Sequence, residues 1–314
     1  MEIKNFKKHY STTIPLDKNI LIISGPNGAG KTQILYSIIL FVTAYNQYLH
    51  HSKPIPMSLI FMADKLFHPS FKHTTDYKHF IRGVDDEKSA TFTCKSIDKE
   101  VILHSDGVFY VYEGVRMKRD LISKRIKDLT IFNSKCKWGF MSTSFQFSDK
   151  VEESIQYITS NMHNIRVHSK ILCNNDKQWS IFVSQISRIF PSVTEIEVNG
   201  NYKKGINYSI MITEVKFPEP QTLEINDMGT GFCKVYTTLI LLNTLVLQCD
   251  LLKEENNFGN FFLMDNIEAY LQEDLIVDLY YIIRKTCENN NIKLIITSNH
   301  PFVLKSTDNV CNLE

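Results

Sequence analysis

Ile20-Leu21-Ile22-Ile23-Ser24-Gly25-Pro26-Asn27-Gly28-Ala29-Gly30-Lys31-Thr32-Gln33-Ile34-Leu35-Tyr36-Ser37-Ile38-Ile39-Leu40-Phe41 decides the reading of this chain. Residues 25–32 are a complete G-x-x-x-x-G-K-[ST] phosphate-binding loop. The apolar run before them predicts a buried strand, and the run after them predicts a helix. That strand–loop–helix order is the context the motif requires. Glycines lack a Cβ, so the loop backbone can close around phosphate oxygens. Loop amides and the helix N-terminus direct partial positive charge at an anion. Lys31 reaches the β- and γ-phosphates in such a loop, and the Thr32 hydroxyl holds Mg²⁺. Asn27, Gly28, Ala29, Gly30, Lys31 and Thr32 are the candidate nucleotide-binding set.

Outward from the loop, Ile3–Phe6 and Ile20–Ser24 read as strands on either side of a turn at Pro15–Asn19. The helix after the loop is expected to run to about Tyr48, stopped by Lys53-Pro54-Ile55-Pro56. Residues 89–113 hold short alternating runs, with Asp106-Gly107 as the turn of an antiparallel hairpin between the last two. Residues 115–128 are basic and read as helix, and 138–144 as strand. Residues 149–190 read as helix, broken near Asn174-Asn175-Asp176. Val193–Val198 and Tyr208–Val215 read as a second hairpin. Gly231–Leu251 reads as a long apolar helix, Phe261–Asp265 as a buried strand ending in a carboxylate, 275–288 as helix and 292–297 as a final buried strand. Strands bounded by helices at both ends of the chain imply a parallel sheet interrupted by an insertion.

The bulk composition narrows the function classes. The chain has 314 residues, 43% hydrophobic and 22% charged, with a formal net charge of +1. That is ordinary for a globular protein and supplies no global field for nucleic acid or membrane. Seven cysteines without a C-x-x-C pair argue against a disulfide framework or zinc site and for a cytoplasmic setting. The first residues lack the apolar core of a signal peptide. The longest apolar stretch, Leu239–Leu247, is interrupted by Asn243 and is too short to span a bilayer.

Four segments in order carry a family resemblance. Gly25–Thr32 has the Asn-Gly character of the ABC and SMC class of ATPases. Asp265-Asn266-Ile267-Glu268-Ala269-Tyr270-Leu271 resembles the D-E-P-E-A-H-L segment of the stand-alone AAA-type branch of that class. The overcoming-lysogenization-defect ATPases and ATPase subunits of prokaryotic defence systems belong to that branch. Thr297-Ser298-Asn299-His300-Pro301-Phe302-Val303-Leu304 resembles its T-T-H-S-P-F-L-L switch. Asp227-Met228-Gly229-Thr230-Gly231-Phe232-Cys233-Lys234-Val235 resembles its D-V-G-x-G-x-S-Q-V signature. Residues 50–220 carry no such likeness.

The resemblance implies an α/β P-loop NTPase of ABC/SMC type, with a mixed sheet split by a helical and antiparallel β insertion. It implies one ATPase head over residues 1–314, with an insertion lobe at about 50–224. The implied cofactors are ATP and Mg²⁺. Thr32 and Asp265 are the implied metal ligands. Two heads sandwich ATP, so that Gly229 and Gly231 of one subunit meet the γ-phosphate bound by the other. The implied partners are a second copy, in an ATP-dependent homodimer or higher oligomer, and a separate effector such as a nuclease or toxin. No membrane is implied.

The sequence also departs from the family. The usual water-positioning Glu after the metal-binding Asp is replaced by Asn266, whose amide cannot take a proton. Glu268 is the nearest substitute carboxylate, or alternatively a partner of the following helix. Asn299 occupies the switch histidine position and His300 follows it, so either is a candidate γ-phosphate contact. Gln146, between strand and helix, is a candidate magnesium-sensing Gln and equally an ordinary surface residue. Arg116, Lys118, Arg119, Lys124, Arg125 and Lys127 read first as a solvated helix face and second as a DNA or RNA contact. These departures point to a slow switch. Rival readings are a non-hydrolysing nucleotide-dependent scaffold, a transporter's ATP-binding subunit and a small-molecule kinase. The missing L-S-G-G-Q argues against the transporter. The distance of Asp265 and His300 from the loop argues against the kinase.

Overall fold

The structure, a computed structural model, describes residues 1–39, 41, 55–56, 89–94, 99–104, 108–113, 138–141, 165–166, 168–200, 209–215, 219–251 and 260–313. The chain forms two compact units. The first comprises Met1–Trp138, Glu254–Phe261 and Thr307–Glu314. The second comprises Gly139–Lys253 and Phe262–Ser306.

In the first unit, β1 (Glu2–Phe6) and β2 (His9–Thr13) form a hairpin with Phe6 opposite His9. Its turn is Lys7-Lys8, and Lys7 takes a left-handed φ of 51°. The sequence reading placed only a turn between Ile3–Phe6 and the next strand. His-Tyr-Ser-Thr-Thr is polar and lacks the apolar alternation that marks a strand, so β2 was not legible. β1 also pairs with β5 (Ser89–Cys94), and the sheet continues through β6 (Lys99–His104), β7 (Val108–Glu113) and β4 (Ile55–Pro56). Every pairing in it is antiparallel. β5 alternates strictly, burying Ala90, Phe92 and Cys94, and Phe92 meets Phe6 edge-on at 5.2 Å. The expected β6–β7 hairpin is present, while its turn lies outside the described residues.

β3 (Ile20–Ser24) is buried at every position, as a strand covered on both faces must be. It runs parallel to β14 (Val310–Asn312), with Val310 opposite Ile22. β14 was missed because three residues at a chain end carry no readable periodicity. The helix after the loop is described at residues 31–39 and 41, burying Ile34, Leu35, Ile38, Ile39 and Phe41 in one stripe.

The second unit is organised on the Thr230–Leu251 helix. Its Thr230–Leu247 window has a mean hydropathy of 1.4, and by length and composition alone it passes as a membrane span, yet 67% of that window is buried inside the protein. Asn243, fully buried, shows how a polar residue is accommodated in this helix. Its oxygen accepts from Gln178 Nε2 at 2.8 Å, and its nitrogen donates to Gln185 Oε1 and Leu239 O, both at 2.7 Å. A buried amide satisfied in this way ties two helices together. Gln178 and Gln185 belong to the Asp176–Ile189 helix, capped by the Asn175 side chain accepting from Gln178 N. The polar break read at 174–176 is therefore a helix start. Phe182 and Ile186 fill the same face, and Phe182 meets Tyr236 edge-on at 5.1 Å.

β9 (Val193–Asn199) and β10 (Ser209–Glu214) form the expected hairpin, extended by β11 (Gln221–Glu224). A 3₁₀ turn at Ile225–Asp227 leads from β11 towards the long helix. β12 (Asn260–Met264) lies between β8 (Trp138–Met141) and β13 (Ile292–Thr297) in the sheet order. The Glu273–Asn289 helix buries Ile276, Leu279, Tyr280, Ile283 and Cys287, the 3–4 spacing of a core-facing stripe. A short Pro301–Lys305 helix follows β13. The expected helical runs at 115–128 and 149–164, the end of the loop helix, and Gln146 lie outside the described residues.

Candidate active site

The phosphate loop leaves the end of β3 with three glycines at positive φ: Gly25 at 148°, Gly28 at 82° and Gly30 at 94°. Two of them are also fixed by close approach. A Cβ on Gly25 would lie 2.6 Å from Leu313 O, and one on Gly30 would lie 2.6 Å from His9 Nε2. The loop closes with Ala29 N donating to Pro26 O at 3.1 Å. The helix then starts with Gln33 N and Ile34 N both donating to Gly30 O. Lys31 Nζ donates to Gly25 O at 2.6 Å and to Pro26 O at 3.1 Å, which holds the ammonium over the mouth of the loop.

The β1–β2 hairpin braces the loop from outside. Lys8 Nζ donates to Gly28 O at 2.7 Å, Lys8 N donates to Gln33 Oε1 at 3.1 Å, and His9 Nε2 lies 3.2 Å from Gly30 O. Lys7 Nζ lies 5.8 Å from the Tyr36 ring centroid, and burial lowers its pKa. Lys8 and His9 were not selected from sequence. Their only signal was proximity to a polar strand that itself was not recognised.

In the second unit, the segments after β12 and β13 form one hydrogen-bonded cluster. Asp265 is 5% exposed, and its Oδ1 accepts from Thr297 Oγ1 at 2.6 Å. The same hydroxyl accepts from Asn266 N at 2.6 Å, and Ile267 N donates to Thr297 O at 3.3 Å. These bonds bring the carboxyl ends of β12 and β13 together, where open α/β sheets carry their ligands. Glu268 accepts from Ser298 Oγ at 2.9 Å and from Asn299 N at 2.8 Å. With its amide nitrogen turned toward Glu268, Asn266 donates to both carboxylate oxygens at 3.2 Å. Both oxygens of Glu268 thus bind the switch segment.

Asn299 is exposed. His300 is half-buried at the N-cap of the Pro301–Lys305 helix, its N–H donating to Ser298 Oγ at 3.0 Å. His300 Nδ1 is buried and has no hydrogen-bond partner among the described residues.

The signature-like segment opens the long helix. Gly229 O accepts from Cys233 N at 3.1 Å, the first helical bond. Gly229 and Thr230 are exposed, and a Cβ on Gly229 would meet nothing within 4 Å among the described residues. A Cβ on Gly231 would lie 3.3 Å from Tyr270 O, so this glycine is set by close packing on the turn after Asp265. No acidic residue stands in the helix's first turn, where one would offset its positive dipole end. Cys233 turns inward, its thiol facing Ile225 O and Met228 O, and burial pushes its pKa up to about 11.

Lys234 was quoted in the signature but given no role. It is 1% exposed, and its ammonium donates to Asn266 O at 2.8 Å, Ile267 O at 2.9 Å and Ala269 O at 2.7 Å. Burial lowers its pKa to about 7, opposed by the charges of Glu268 and Asp265. A neutral amine has only two N–H donors, so engaging all three carbonyls at once requires the protonated form.

A buried strand, a glycine-rich loop, a helix N-terminus and a Lys poised on that loop define an α/β P-loop nucleotide-binding protein. The chain belongs to the AAA domain family, whose model matches residues 1–191. The matched residues contain Gly25–Thr32, and the family agrees with the reading of the chain as an AAA-type ATPase of the ABC/SMC class. Among solved structures, the chain is similar to the SMC head domain from Thermotoga maritima. The identity is 16% over 99% of this chain and 92% of that one, with a TM-score of 0.44. It is also similar to the recombination mediator protein RecF-ATP of the RecFOR pathway. There the identity is 9% over 96% of this chain and 91% of that one, with a TM-score of 0.40. Comparison with curated proteins gives no match.

Proposed function

We propose that this chain is a cytoplasmic ATPase head of ABC/SMC type that binds ATP with Mg²⁺, dimerises on it, hydrolyses it slowly and thereby controls a separate effector. The observation that carries the reading is the phosphate loop. Three glycines at positive φ present its backbone, and Lys31 Nζ sits on the carbonyls of Gly25 and Pro26. A loop of this shape suits a polyphosphate because amides and a helix N-terminus converge on it. In this proposal the Thr32 hydroxyl and the Asp265 carboxylate hold Mg²⁺, and both are the hard oxygen donors that ion takes. When bound, the ion neutralises charge on the transferring phosphate. Gln146 is a further candidate on the metal side. Gly229 and Gly231, at a helix start with no acidic residue in its first turn, are the surface offered to the nucleotide of a second copy.

Glu268 is the candidate for orienting and deprotonating the attacking water, with Asn266 beside it and Asn299 and His300 completing the phosphate-facing set. The family setting points to an effector in prokaryotic antiviral defence. The basic segment at 116–127 leaves nucleic acid as a second class of partner. One rival is favoured by a specific observation. Asn266 replaces a carboxylate and Glu268 is bound to Ser298 and Asn299, which suits a nucleotide-dependent scaffold without turnover.

The deciding experiment compares the wild type with Lys31→Ala. Calorimetry should show ATP affinity falling by more than about tenfold, or ~1.4 kcal/mol. Equal affinity would overturn nucleotide binding at this loop. Phosphate release by the wild type above the Lys31→Ala background separates an ATPase from a scaffold.

A further inference from the structure

The turn after β12 is built around a cation. The carbonyls of Asn266, Ile267 and Ala269 all point at one spot, where Lys234 Nζ makes one hydrogen bond to each. Converging peptide dipoles repel one another unless positive charge lies between them, and three N–H donors match three acceptors. The turn is also bent in a way that few side chains tolerate. Asn266 has a φ of 47° and Tyr270 a φ of 63°, both left-handed and neither a glycine. A backbone in that region persists when its surroundings hold it there. The side chains the turn presents, Asn266 and Glu268, are the ones that engage Ser298 and Asn299 of the switch.

Lys234 itself stands one helical turn beyond Gly229–Gly231. Gly231 packs against the same turn, with Tyr270 O 3.3 Å from where its Cβ would be. Two contacts therefore join the start of the signature helix to the Asn266–Tyr270 turn, one through an ammonium and one through a glycine. We propose that Lys234 is a positioning residue that locks the turn carrying Asn266 and Glu268 to the signature helix, so that a contact made at Gly229–Gly231 and the placement of Glu268 change together. The proposal deepens the ATPase reading and rests on it. Its chemistry is a hydrogen-bonded linkage only. Lys234 is buried behind the turn and touches no reacting atom.

The test uses the full chain as wild type, Lys234→Met and Lys234→Arg. Met removes the charge and all three donors at similar length, while Arg keeps a charge and donors. Misplacing a reacting group costs up to about 10²-fold in rate, so Met should lower kcat by at least about tenfold. ATP affinity should stay within about twofold, because the phosphate loop is untouched. Arg should recover most of the lost kcat. Hydrogen exchange should quicken in Met at residues 266–270 and 298–300 and stay at the wild-type rate in the Asp176–Ile189 helix. Wild-type kcat in Met, or a loss that Arg leaves in full, would overturn the proposal. So would exchange quickened throughout the chain. If the Met variant does not fold, Lys234→Gln, with two donors, carries the same criteria. If the wild type binds no ATP, the functional reading fails by itself, and the exchange pattern still decides whether Lys234 holds the turn.

Discussion

Thr297→Val tests whether the cluster after β12 and β13 is held as described. Thr297 is fully buried, donates to Asp265 Oδ1 at 2.6 Å and accepts from Asn266 N at 2.6 Å. Valine has nearly the same shape and lacks the hydroxyl. A hydrogen bond to a charged group contributes about 1.5–3 kcal/mol, and an unsatisfied buried donor costs about 1–3 kcal/mol. Asn266 is exposed, so water can partly replace the bond its amide loses. The sum falls at ~2–4 kcal/mol. Thr297→Ser is the control: it keeps both bonds and loses one methyl, about 1 kcal/mol. Equilibrium urea unfolding should place the Val midpoint clearly below that of Ser. ATP hydrolysis should fall further in Val than in Ser, with ATP binding retained in both. Val and Ser with equal midpoints and equal turnover would refute the argument that this hydroxyl organises the carboxylate.

Three further outcomes follow from the site. Gly229→Trp should fold, with stability within about 0.5 kcal/mol of wild type, because Gly229 is exposed and a Cβ there meets nothing within 4 Å among the described residues. Sedimentation with a non-hydrolysable ATP analogue should then show a dimer for wild type and a monomer for the variant, and a nucleotide-independent dimer would count against the composite site. Glu268→Gln should slow turnover by about 10²-fold or more with ATP binding intact, as expected for loss of a general base. Asn266→Glu should raise turnover. A wild-type rate in Glu268→Gln removes Glu268 from the chemistry, and a silent wild type awakened by Asn266→Glu favours the scaffold.

The legible parts of this protein are local. Gly25–Thr32 declares itself by spacing, because glycine conformations, a lysine and a hydroxyl must fall at set positions around one phosphate chain. β3, β12 and β13 declare themselves as apolar runs, since strands covered on both faces have no polar side. β9 and β10 were visible through turn residues between alternating segments. Asn174-Asn175-Asp176 was visible as a polar break, and Asn175 caps the helix that begins there through its own side chain.

What tertiary structure decided are relations between distant segments. Asn243 reads as an interruption of an apolar helix, and only the packed structure shows Gln178 and Gln185 around it. Glu268 was open between a base and a partner of the next helix, and the structure places Ser298 and Asn299 on its carboxylate. Lys8 and His9 reach the phosphate loop through a hairpin whose second strand is polar. Lys234 stood in the signature-like segment with no role until the carbonyls of Asn266, Ile267 and Ala269 closed on it. The physical reason is common to all four. A periodic pattern records which face of an element avoids water, and a motif records atoms that must meet one ligand. A hydrogen bond between a side chain and a distant residue leaves neither trace, because its geometry exists only after the chain has folded.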